Sequence, residues 1–148
     1  DSVHRRQFPD IPDAWNDEAL ENKWRTVRQV RRAVTGALEL ERAEKRVGSS
    51  LQAHVTVHVT AEQAAALQDL DLPQIFITSS GEITTAPAPD GAFTIPEAPG
   101  VAVVPVMASG DKCARCWKVL EDVGQDADHP TVCARCADAV RHSPLAAE

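Results

Sequence analysis

All four cysteines of the chain lie in two identical short strings, Cys113-Ala-Arg-Cys116 and Cys133-Ala-Arg-Cys136, with sixteen residues between them. Two residues between cysteines let both thiolates of a pair point at one ion, with the backbone N–H groups of the turn free to bond the sulfurs. Two such pairs supply the four tetrahedral ligands of a closed zinc site. Soft thiolates select zinc or iron–sulfur over magnesium or calcium. Iron–sulfur runs use other spacings, so zinc is the expected ion. Four sulfurs leave no open position for water, which makes the metal structural rather than catalytic. Two disulfides and a thioredoxin-like redox pair are the alternatives. The sequence opens without a signal peptide, and adjacent C-x-x-C pairs are a poor framework for stapling a small secreted fold. The duplication of the pair argues against a redox motif.

A chain of 148 residues makes one ordinary domain or two to three small ones. Aromatic residues are only 4% and tyrosine is absent, so the core must be built from Val, Leu, Ile and Ala. The net charge of −7 argues against a bulk electrostatic nucleic-acid binder, though not against a local basic face. No apolar run approaches the ~20 residues that span a bilayer. The sequence begins without Met, its only Met being Met107, and reads as a fragment of a longer protein.

Residues 1–16 are irregular, with Pro9 and Pro12 favouring an extended segment whose Phe8, Ile11 and Trp15 fill a core or an interface. A long helix is expected from about Asp17 to Arg46, capped by Asn16 or Asp17 and stopped by Gly48. Leu20, Trp24, Val27, Val30, Val34, Ala37 or Leu38, and Val47 form its apolar stripe. Gly36 inside it costs ~1 kcal/mol against alanine. Some 30 residues span ~45 Å, too long for the rest of the chain to cover, so the stripe calls for partner helices upstream.

Ser50 to Val59 alternates apolar and polar residues as a half-buried strand does, with His54 and His58 on the outer face and not acting as ligands. Thr60-Ala-Glu-Gln63 is a capping box for a short helix reaching about Leu70. A second strand is expected over 74–78, a loop or loose hairpin over 79–100 with a strand near Ala92–Ile95, and a third strand over 101–107. Pro105 puts that third strand at an edge or a bulge. In the cysteine module, 117–120 and the stretch around Thr131-Val132 are expected to pair as a hairpin across the ion, with Trp117 as a wall against it.

The long helix carries eight cations from Lys23 to Arg46 against three glutamates, a local charge of +5 in an acidic chain. A solvated face is the ordinary reason for such a run; contact with phosphate is the sharper one. Arg115 and Arg135 hold equivalent places in the two cysteine pairs, pointing outward to meet phosphate or balancing the −2 of zinc with four thiolates. No nucleophile–base constellation and no nucleotide-binding Gly-rich loop is present, so no catalytic residue is assigned.

The string Lys112-Cys-Ala-Arg-Cys-Trp117, followed by His129-Pro130 and Cys133-Ala-Arg-Cys136, resembles the C-terminal zinc finger of bacterial isoleucyl-tRNA synthetases. Ser2-Val3-His4, Trp24 to Val34 with its arginines, Ala37-Leu38-Glu39, Arg42, Lys45, Val47 to Leu51 and Ile75-Phe76-Ile77 are similar to the preceding part of that family. The resemblance implies the tRNA-reading end of a class I ligase that joins isoleucine to its tRNA with ATP. ATP would be bound only in a catalytic domain outside this chain. The implied contacts to the anticodon stem-loop are Arg28, Arg31, Arg32, Arg115, Trp117, Lys118 and Arg135, and the implied zinc ligands are Cys113, Cys116, Cys133 and Cys136. The implied partners are isoleucine tRNA and upstream helices of the same enzyme, in a cytoplasmic monomer.

The expected fold class is α+β: residues 1–48 as the end of a helical anticodon-binding domain, 49–108 as a small α/β domain, 109–142 as a zinc finger and 143–148 as a tail. Two other readings compete. Formamidopyrimidine-type DNA glycosylases close with a similar finger, but the basic helix and α/β segment upstream do not suit them. A zinc-ribbon interaction module would bind no nucleic acid at all.

Overall fold

The computed structural model describes residues 2–143. The expected tail therefore lies, apart from Ser143, outside the described residues. Two 3₁₀ turns, Val3–Arg5 and Asp13–Trp15, lead into helix α1, Glu18–Ala43. Asp17 caps it, Oδ1 accepting the Leu20 N–H at 2.9 Å, and Glu18 and Glu21 sit at the positive end of its dipole.

The helix ends before the expected Arg46, and not on Gly48. Lys45 adopts left-handed backbone, φ 59°. Its N–H bonds the Arg42 carbonyl at 3.1 Å, and the Arg46 N–H bonds the Glu41 carbonyl at 2.9 Å. This is a Schellman closure formed on a lysine in place of glycine. It brings Arg46 beside Glu41, and the two make a double hydrogen bond, both arms at 2.6 Å. Gly48 instead donates its N–H to Gln52 Oε1 at 2.7 Å.

After a 3₁₀ turn at Ser50–Gln52 comes the central strand β1, Ala53–His58. Its alternation is as expected: Ala53, Val55 and Val57 are buried, while His54, Thr56 and His58 are half-buried on the other face. Helix α2, Ala61–Leu67, opens on the capping box, with both reciprocal Thr60–Gln63 bonds formed.

The expected strand over 74–78 is instead helix α3, Leu72–Phe76. The apolar run Ile75-Phe76-Ile77 fits a short buried helix or a strand equally by pattern. The start signal decides: Asp71 caps the Gln74 N–H at 3.2 Å, and Pro73 sits in the first turn, where its missing N–H is no loss. Ile77, at φ 56°, ends the helix. Strand β2, Ser80–Thr84, follows inside the segment expected to be a loop. Near Ala92–Ile95 only a single bridge forms, Phe93 with Val103.

Strand β3, Ala102–Met107, completes a three-stranded sheet in the order β2-β1-β3, parallel on one side of β1 and antiparallel on the other. Pro105 lies opposite Val55 on the edge strand β3, where a missing N–H breaks no ladder.

One core joins α1 to the sheet. Val27, Val30, Ala33, Val34, Ala37 and Leu38 of α1 pack with Val47, the inner face of β1, Leu67, Phe76, Val101 and Val103. Each buried Val, Leu or Phe side chain among them contributes about 1.5–3 kcal/mol, and each Ala less. Gly36 has a packing reason: a Cβ there would lie 3.0 Å from the Phe93 ring. The stripe is thus covered by this chain from Val27 onward. Its N-terminal part stays open, with Leu20 and Trp24 exposed. Phe8, Ile11 and Trp15 are also exposed, Phe8 at 99%, and fill no core of this chain.

Candidate metal centre and nucleic-acid face

Ser109-Gly110 carries the chain from the sheet into the cysteine module. Gly110, at φ +105°, runs so close to Leu120 that a Cβ would lie 2.3 Å from the Leu120 carbonyl carbon. That approach lets β4, Asp111–Lys112, pair antiparallel with β5, Val119–Leu120. The finger's hairpin is therefore this one, and not 117–120 with 131–132; Thr131 instead accepts the Ala114 N–H at 3.0 Å. Local geometry decides, because the first cysteine turn folds β5 straight back on β4. Within that turn the Cys113 N–H bonds Lys118 O at 2.9 Å and the Trp117 N–H bonds Cys113 O at 3.0 Å, with Trp117 left-handed at φ 67°.

The second pair is held by helix α4, Ala134–Arg141, with Cys133 at its N-cap and Cys136 in its first turn. Asp122 Oδ2 accepts the Ala134 N–H at 3.0 Å and so closes the helix start from a distant loop. Arg141 reaches Asp126 at 2.5 Å and holds that carboxyl below the usual carboxylate range. Val132 and Ala137 form a small second core around the cysteines, with Leu120 and Val123 against it.

The four Sγ atoms lie within 4.8 Å of one another. A tetrahedron with Zn–S bonds of about 2.3 Å has edges of about 3.8 Å, and Cys116 Sγ stands 3.8 Å from Cys133 Sγ. No disulfide joins them. Backbone N–H groups point at sulfur as a thiolate requires: Cys116 N and Cys133 N lie 3.5 and 3.4 Å from Cys113 Sγ. Burial opposes the Cys113 thiolate, but these donors outweigh it and bring its pKa down to about 6. Burial pushes Cys133 up to about 12 and raises Cys116 as well. Burial thus disfavours the thiolates of Cys116 and Cys133 in the absence of a cation, and loading the site releases protons. The donor set and its spacing fit zinc, and the chain has one structural zinc site.

The residues implied for RNA contact fall into two sets. Arg28, Arg31 and Arg32 stand on the side of α1 away from the core and line a shallow groove of about 610 Å³ along it. No ion pair holds their guanidinium groups among the described residues, whereas neighbouring Arg25 is paired with Glu21 at 2.9 Å. In the finger, Trp117 is 62% exposed and is not the wall expected against the ion. Its left-handed backbone turns the ring out, with Lys112 Nζ 5.9 Å from the ring centroid. Lys118 and Arg135 line a cleft of about 330 Å³ that reaches Asp71 and Gln74 at the start of α3. Arg115 is exposed, and its Nη1 lies 3.7 Å from Cys136 Sγ, the charge-balancing placement. The two histidines of β1 are occupied elsewhere, His54 Nδ1 with Ser80 Oγ at 2.8 Å and His58 Nδ1 with the Ala86 carbonyl at 3.0 Å.

Sequence reasoning missed Lys112, Asp122 and Ser79. Lys112 adjoins a cysteine and was within reach of the pattern. Asp122 acts eleven residues before the cysteine that caps α4, and no spacing rule marks it.

Residues 110–139 match the family described as the zinc finger found in FPG and IleRS. That match alone leaves both the glycosylase and the synthetase open. The upstream residues decide. The chain is 51% identical over 141 residues to the isoleucine–tRNA ligase of Brucella abortus, covering 95% of this chain. This stretch is the counterpart of the C-terminal region of bacterial isoleucine–tRNA ligase. The isoleucine–tRNA ligases of Mesorhizobium japonicum and Bartonella henselae match at 52% and 48% identity, again over 95% of this chain. The chain spans 14% of the length of each of these three ligases. The similarity to ligases runs through α1 and the sheet as well as the finger, which sets aside the glycosylase reading.

Proposed function

We propose that this region binds isoleucine tRNA at the anticodon stem-loop, on behalf of a ligase whose ATP-dependent chemistry lies outside this chain. The observation that carries the reading is the row of unpaired Arg28, Arg31 and Arg32 on the open side of α1, in a chain of net charge −7. An acidic protein that keeps three neighbouring guanidinium groups free of carboxylates has a surface suited to phosphate. Anticodon bases are single-stranded and open to stacking, and Trp117 offers an exposed ring beside Lys112 and Lys118. Arg135 adds a cation at the finger's cleft. The open apolar end of α1 and the exposed Phe8, Ile11 and Trp15 suit contact with upstream helices of the same enzyme. No helix among the described residues is long and apolar enough to cross a membrane, and the reading places a monomeric enzyme in the cytoplasm.

The test is a titration of the zinc-loaded chain with isoleucine tRNA and a control tRNA at low and moderate salt, with and without a chelator. Preference for isoleucine tRNA that chelation abolishes supports an anticodon-reading finger. Zinc-loaded chain with no preference makes the finger a brace, with specificity elsewhere in the enzyme. Replacing Arg28, Arg31 and Arg32 by Gln should flatten the salt dependence, lowering the log–log slope by about two.

A further inference from the structure

The two cysteine strings are identical in sequence, C-A-R-C, yet their arginines are placed differently. Zinc with four thiolates carries two negative charges, and three of the four cysteines are no more than 1% exposed. Charge at that depth is tolerated only with donors directed at the sulfurs. Cys113 Sγ receives them from the backbone, with the Cys116 and Cys133 N–H groups 3.5 and 3.4 Å away. At Cys136 the donor is a side chain, Arg115 Nη1 at 3.7 Å, reaching across from the other string. Arg135, in the equivalent place, makes no hydrogen bond or ion pair with its guanidinium among the described residues and faces the cleft beside Lys118.

We propose that Arg115 is a positioning residue of the zinc centre, compensating the Cys136 thiolate and slowing loss of the ion, and that Arg135 has no part in this. The first string thus closes the second by a charge-assisted hydrogen bond. A guanidinium also suits a sulfur in a partly apolar site better than an ammonium does, because it is more weakly hydrated and presents several N–H groups. The proposal gives Arg115 a role in the zinc centre beside the RNA contact that the resemblance implies.

The experiment compares the rate of zinc transfer from the zinc-loaded chain to a chromogenic chelator for the unaltered chain and for Arg115→Gln, Arg115→Lys and Arg135→Gln. Zinc should leave Arg115→Gln about tenfold faster or more. Arg115→Lys should recover most of the loss, and Arg135→Gln should behave as the unaltered chain. Equal release from Arg115→Gln and the unaltered chain overturns the proposal, as does equal loss in Arg135→Gln. The thiolate-to-metal absorption of the cobalt-loaded forms reports whether each site assembles. If Arg115→Gln fails to assemble, Arg115→Lys decides: tetrahedral cobalt absorption with intermediate release supports charge compensation, and failure there as well overturns it. None of these readouts involves RNA, so they stand or fall separately from the tRNA titration.

Discussion

Ser79 Oγ accepts the Val119 N–H at 2.6 Å and donates to the Leu51 carbonyl at 2.5 Å, so one buried hydroxyl ties the cysteine module to the sheet. Ser79 is 4% exposed, and its own N–H bonds the Ala53 carbonyl at 3.1 Å. The left-handed turn at Ile77 delivers Ser79 to this point by ending α3 just before β2. Ser79→Ala should leave the Val119 N–H and the Leu51 carbonyl without this partner at a cost of about 1–3 kcal/mol. Denaturant unfolding of the zinc-loaded chain measures the cost, and amide exchange at Val119 should accelerate. Unchanged exchange there would show that the finger is held by other contacts.

Zinc removal should unfold the module and spare the rest. The cysteine cluster and the core of α1 with the sheet are separate sets of buried residues. The smaller has too little apolar mass to stand without metal, since zinc binding at such sites is itself folding free energy. Chelation should abolish amide protection at Cys113, Trp117 and Cys136 while β1 stays protected. Retained protection in 109–142 after chelation would contradict this.

Gly110→Ala should be poorly tolerated. The added Cβ meets backbone rather than a movable side chain, and φ +105° is itself a glycine conformation. The β4–β5 hairpin must open to relieve the clash, so zinc uptake should weaken along with stability. Strain at such a position costs about 1–3 kcal/mol before the clash is counted. Equilibrium zinc titration against a competing chelator is the measurement, and unaltered affinity is the contrary result.

Stability should carry an acid limb from Glu41. Its double hydrogen bond with Arg46 holds the carboxyl below the ordinary glutamate range in the folded chain. The folded state thus favours the ionised form. The resulting stability is fully present above the unfolded glutamate pKa of about 4.3, and is lost as pH falls through the lower folded value. Glu41→Gln should therefore destabilise the chain at pH 7, by on the order of 1 kcal/mol, and the difference should vanish at strongly acidic pH. Urea midpoints of the two proteins across pH 3–7, a range set by those carboxylate values, provide the comparison. A constant difference would mean that packing, and not charge, accounts for it.

What the residues themselves determined is whatever depends on short spacing. The four thiolates, the Thr60–Gln63 capping box, the two-residue alternation of β1 and the three- to four-residue stripe of α1 are all local periodicities, and each is present in the fold. The ambiguous run at Ile75-Phe76-Ile77 was not legible by pattern, because three apolar residues fit either element and a capping aspartate four positions upstream made the choice. Other features were decided only by the tertiary structure, since they join residues far apart in the chain. Leu120 must come against Gly110 for the finger's hairpin to form, Asp122 must reach Ala134, and Ser79 must meet Val119. The two arginines of the repeated C-A-R-C string make the same point most directly. Their local sequence is identical, yet one lies against a sulfur of the other string and one lines a cleft, because only packing sets what stands opposite each.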